Sequence, residues 1–104
     1  MKELDWFVKT LENEFHIEAD KRQISYEGSE LYLDEIDELL IPPDMLNGLP
    51  EPFLFETMVF DREEDGTEWL GIIAMNIGTR EWHLQLILKN EEVVYKKEIK
   101  KERD

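Results

Sequence analysis

Ten carboxylates stand between Glu27 and Asp61: Glu27, Glu30, Asp34, Glu35, Asp37, Glu38, Asp44, Glu51, Glu56 and Asp61. No Lys, Arg or His stands among them. Carboxylates at this density could hold a hard cation, work as an acid–base pair, or present negative charge to a basic partner. The spacing decides among these. "DREEDG" puts Asp61, Glu63, Asp65 and Gly66 at positions 1, 3, 5 and 6 of a calcium loop. Position 12, which would need a bidentate Glu, is Ile72 in an apolar run, so the stretch reads as a charged hairpin tip. Asp34, Asp37 and Glu38 could hold magnesium or manganese, but no phosphate-binding pattern or nucleophile accompanies them.

Other chemistries lack their residues. The chain has no Cys, which removes disulfides, thiolate metal sites and cysteine catalysis together. His16 and His83 are far apart, and neither has a ligand companion at i+4. The five glycines make no phosphate cradle, and Ser25 and Ser29 have no His or Lys at a readable spacing. Acid pairs occur anywhere in so acidic a chain and so identify no catalytic site. The residues favour binding over catalysis, with no enzyme activity, cofactor or metal expected.

The charge is uneven. Residues 1–70 hold 20 acids and 5 bases, residues 71–104 hold 6 acids and 7 bases, and the net formal charge is −14. A nucleic-acid or acidic-membrane binder needs the opposite sign. The expected partner is therefore a basic protein, with a nucleic-acid enzyme the natural example. The candidate partner-binding residues are Glu27, Glu30, Asp34, Glu35, Asp37 and Glu38. The opening MKELDWFVKTLENEF mixes acids and bases from its third residue, unlike a signal peptide. No apolar run approaches the ~18 residues that span a bilayer. A cytoplasmic protein folded as one domain over residues 1–104, monomeric or weakly dimeric, is expected.

The elements that must position these acids follow from periodicity. Leu4, Phe7, Val8, Leu11 and Phe15 form one helical stripe over about 3–15, with Asp5 and Lys9 paired outside. "RQISYEG" alternates Ile24 and Tyr26 and stops at Gly28, as a short strand does. A short acidic helix is read over about 34–40, with Asp34 as N-cap and Pro42-Pro43 as its stop. One helical turn is read at Asp44–Leu46. From Phe53 to Ile99 the period becomes 2, and four sequential antiparallel strands are predicted. Trp82, Leu84, Leu86 and Leu88 share one face of the third of these, and Val93, Tyr95 and Ile99 one face of the fourth. Trp82 is expected to be buried beside Leu84 or Leu86, and Trp6, off the helical stripe, more exposed. The fold class is α+β: an N-terminal helix and a short acidic helix on a four- to five-stranded antiparallel sheet with a C-terminal meander.

"PFLFETMVF" is apolar on both faces, with Phe53, Phe55 and Val59 on one and Leu54, Met58 and Phe60 on the other. A sheet with one wet face should alternate. The second face is expected to be closed by the 42–52 loop. The alternative is an interaction domain that self-associates through that apolar face.

The segments "EGSELYL", "DEIDELL", "FDREEDG" and "EWHLQLIL", in this order after an amphipathic helix, resemble the uracil-DNA glycosylase inhibitors. These are small acidic proteins that mimic DNA and plug a repair enzyme's DNA groove. In that family a Glu-Ser-Ile strand mimics phosphates, and an apolar cavity grips a side chain of the enzyme. Here Gly28 separates Glu27 from Ser29, and Glu30 follows the serine. The resemblance implies an acidic inhibitor or immunity-type protein that docks its acids in a basic groove.

Overall fold

The computed structural model describes residues 2–38 and 41–99. Helix α1 spans Lys2–Phe15 and is followed by strand β1, Ile24–Leu31. The chain then crosses irregularly to β2 (Phe53–Arg62), β3 (Thr67–Met75), β4 (Trp82–Lys89) and β5 (Glu92–Glu98). All neighbouring strands are antiparallel and lie in sequence order, so β1 and β5 are the two edges. The α+β meander expected from the change of period is therefore present. Strand β1 runs three residues past Gly28, to Leu31 opposite Phe53, and makes the sheet five-stranded.

Both sheet faces are packed. On one face α1 lays Phe7 and Leu11, each fully buried, against Met58, Phe60, Ile73 and Ile87. Each such side chain contributes roughly 1.5–3 kcal/mol by leaving water. On the other face Ile41, Leu46 and Leu49 lie on Phe53, Ile72, Ala74, Leu84, Leu86 and Leu88. The loop between β1 and β2 thus closes the second apolar face, and this accounts for a strand apolar on both sides. Its anchor is a 3-10 turn at Pro43–Leu46, where proline's fixed φ suits the first position.

The chain ends α1 by turning left-handed at His16, with φ 56°, and Ile17 N–H donates to the Leu11 carbonyl at 3.0 Å. Asp5 pairs with Lys21 rather than with Lys9. The short acidic helix read over 34–40 is a 3-10 turn, Leu33–Glu35, and its cap position is Tyr32 rather than Asp34. Ile36 is already extended (φ −91°, ψ 137°), and it packs against the cluster beneath. Burying that side chain outweighs continuing the turn. The remainder of that reading, residues 39 and 40, lies outside the described residues.

Two β-bulges reassign faces. Ala74 pairs with Leu84 and Met75 with Trp82, so His83 is an extra residue on β4. Trp82 therefore joins the helix face, apart from Leu84 and Leu86, and meets Trp6 edge-on with ring centroids 6.2 Å apart. Both tryptophans are half-buried, because each covers the other. Likewise Ile87 pairs with Tyr95 and Leu88 with Val93, leaving Val94 extra. Val93 and Tyr95 then face opposite sides, not the same one. Gln85 and Ile87, on the other face from Leu84, Leu86 and Leu88, are buried under α1's side of the sheet.

Candidate partner-binding surface

Strand β1 and the turn after it carry the acids singled out in the sequence. Glu27 and Glu30 lie on β1, Asp34 and Glu35 in the 3-10 turn, and Asp37 and Glu38 just beyond; all six are exposed. Strand alternation divides the first two. Glu27 lies opposite Thr57 on the loop-covered face, whereas Glu30 lies opposite Leu54 on the helix face. They flank the sheet edge rather than sharing one side.

The turn is built around carboxylates. Tyr32 N–H donates to Glu35 Oε1 at 2.8 Å, and Leu33 N–H donates to Glu51 Oε1. Both bonds satisfy backbone donors that a short turn leaves open. Two acids therefore have structural work. Asp37 accepts the amide of Ile41 on its carbonyl at 3.0 Å, which closes the approach to the buried loop. The result is an open groove of about 670 Å³, lined by Tyr32, Leu33, Asp34, Glu35, Glu38, Pro43 and Glu51. Tyr32 is 52% exposed at its wall. Glu27, Glu30, Asp34, Glu35 and Glu38 have no Lys or Arg within ion-pair reach among the described residues.

Some acids elsewhere are matched by a base. The Arg22 guanidinium and amide bond Asp20 and hold its pKa at about 2. At the β2–β3 turn, Thr67 and then Arg62 hold the Asp65 carboxyl below its ordinary value. The "DREEDG" segment is thus a hairpin tip tied by Arg62, with Gly66 left-handed at φ 70°. Among the described residues no group of three or more His, Asp or Glu is placed to hold a metal ion. His16 is exposed, while His83 is half-buried in its bulge beside Gly48.

A second electrostatic feature lies behind β1. Glu56 is 1% exposed, and among the described residues neither of its carboxylate oxygens has a hydrogen-bond partner. Arg80 Nη2 lies 3.9 Å from Oε1, too far for a hydrogen bond. Burial pushes the Glu56 pKa up, Glu3 pushes it the same way, and Arg80 opposes them. Glu56 belongs to the ten-acid segment but was not distinguished within it. The available signal was a lone carboxylate inside the otherwise apolar "PFLFETMVF".

No family model, curated protein or solved structure matches this chain.

Proposed function

We propose that the protein is an acidic binding module, of inhibitor or immunity type, that docks β1 and the 32–38 turn onto the basic groove of a nucleic-acid enzyme. The observation that carries this reading is the unneutralised acid edge beside an exposed aromatic. Among the described residues, Glu27, Glu30, Asp34, Glu35 and Glu38 lack cation partners at a surface where Tyr32 is half-exposed. Elsewhere on the same chain Asp5, Asp20 and Asp65 are each bound by a base. Such an edge speeds encounter with a positive groove, and a central aromatic supplies the close contact. The partner is a protein in the cytoplasm, and the acids take the place of phosphates. The packing of both sheet faces lends no support to self-association through an apolar sheet face.

The test uses purified DNA-processing enzymes with basic grooves, a glycosylase and a nuclease among them, at low and physiological salt. Asp34→Lys with Glu38→Lys should slow association by at least about tenfold, and added duplex DNA should compete. These two positions are preferred because, among the described residues, neither side chain bonds the backbone, unlike Glu35 and Glu51. Acids on an edge strand also discourage edge-to-edge pairing. If the variant binds every enzyme as the wild type does, or none is bound, the acids serve solubility and edge protection alone.

A further inference from the structure

Glu56 sits in the middle of β2, and its surroundings do not suit an ion. From α1 comes Glu3, itself only 9% exposed. From β3 comes Ile73, apolar and opposite Glu56 in register. From β1 comes Gly28, also opposite, with Tyr26 and Glu30 two residues to either side on the same face. From the β3–β4 turn comes Arg80, at 3.9 Å and with its side chain 64% exposed, so water screens its charge. An ionised carboxylate here would lose its hydration, gain no donor and face a second acid. Towards the sheet edge the site is covered only by the backbone of Gly28 and the tip of Tyr26: a Cβ at Gly28 would lie 3.6 Å from Glu56 Cγ and 3.9 Å from the Tyr26 hydroxyl.

We infer that Glu56 is a proton-operated latch on the seam between α1 and strands β1–β2. Uncharged, it lets the first turns of α1 close over the strands. Ionised, it favours an arrangement in which the seam opens at Gly28 and water reaches the carboxylate. The direction of the pKa sets the sign. Glu56 is raised above its ordinary 4.5, so the closed form binds a proton more tightly than the open one. Closure is then fully favoured below pH 4.5 and weakens as pH rises through the raised value. The strand that loosens carries Glu27 and Glu30, so the state of the latch alters the acid edge whatever it meets.

Carbon-detected NMR titration of the Glu56 carboxyl in the full chain measures the proton directly. Hydrogen exchange of α1 and β1 amides, corrected for intrinsic pH dependence, measures the seam. The Glu56 midpoint should lie above 4.5. Relative to Glu56→Gln, opening of α1 and β1 should grow with pH by about tenfold for each unit of that excess. Arg80→Met, on an exposed turn, should raise the midpoint further and enlarge the opening in the same window. If Glu56→Gln does not fold, the wild-type and Arg80→Met profiles carry the comparison. A midpoint at or below 4.5, or exchange profiles that run parallel in wild type and variants, overturns the latch.

Discussion

The Phe7 ring occupies the space beside Gly71 that a side chain would need. A Cβ at Gly71 would stand 2.6 Å from Phe7 Cδ1 and 2.8 Å from Cε1. Gly71 pairs with Met58 and Ile87 at the centre of the sheet, so this contact sets how closely α1 approaches. Gly71→Ala should force the helix outward and cost about 1–3 kcal/mol, as overpacking does, in urea or thermal unfolding. Gly28→Ala is the control. Its Cβ would meet Glu56 Cγ at an ordinary 3.6 Å, and its φ is not left-handed, so its stability should change little.

The loop cover on the second sheet face can be tested independently. Leu46 is 3% exposed in the Pro43–Leu46 turn, within the cluster over Leu84 and Leu86. Leu46→Ala should cost about 2–5 kcal/mol, because the cavity sits beneath a turn anchored from one side. If the mutant also dimerises in sedimentation, the uncovered sheet face is adhesive. A cost below about 0.5 kcal/mol would show that the loop does not seal this face.

Two of the four groove acids, Glu35 and Glu38, should separate in stability measurements. Glu35 accepts the Tyr32 amide at 2.8 Å, so Glu35→Lys should cost about 0.5–1.5 kcal/mol through the lost bond. Glu38 makes no such bond among the described residues, and Glu38→Lys should stay within about 0.5 kcal/mol of wild type, or gain by relieved repulsion. Equal effects in chemical denaturation would contradict the assigned role of Glu35.

Asp20 supplies a pH test of opposite sign to Glu56. Its pKa is lowered to about 2 from 3.8 by Arg22, so its contribution is present above pH 3.8 and is lost as pH falls towards 2. Arg22→Ala should return the Asp20 midpoint, followed by NMR, towards 3.8. Because the pair is exposed, stability near neutral pH should hardly change. An unmoved midpoint would show that Arg22 does not hold Asp20.

The sequence by itself determined what depends on near neighbours. The stripe Leu4–Phe7–Leu11–Phe15 specifies a helix and its buried side, because residues three and four apart share a face. The alternations after Phe53 specify strands, and short connections between them make adjacent strands antiparallel. The doubly apolar β2 also required cover on both sides, which α1 and the loop supply. Tertiary structure alone decided which face several residues occupy. One extra residue at His83 and another at Val94 shift the alternation, so Trp82 and Val93 change sides. A bulge is a property of the pair of strands and leaves no mark in the period of either one. Pairing with β2 carries β1 past Gly28 to Leu31, and strand alternation then puts Glu27 and Glu30, three residues apart, on opposite faces. Glu56 is the clearest case. Its neighbours in sequence mark it only as a charge in an apolar strand, whereas its electrostatic surroundings are set by Glu3, Gly28 and Arg80, brought together from three other parts of the chain. Desolvation depends on everything packed around a group, so the fold, and not the local sequence, decided which acid would resist ionisation.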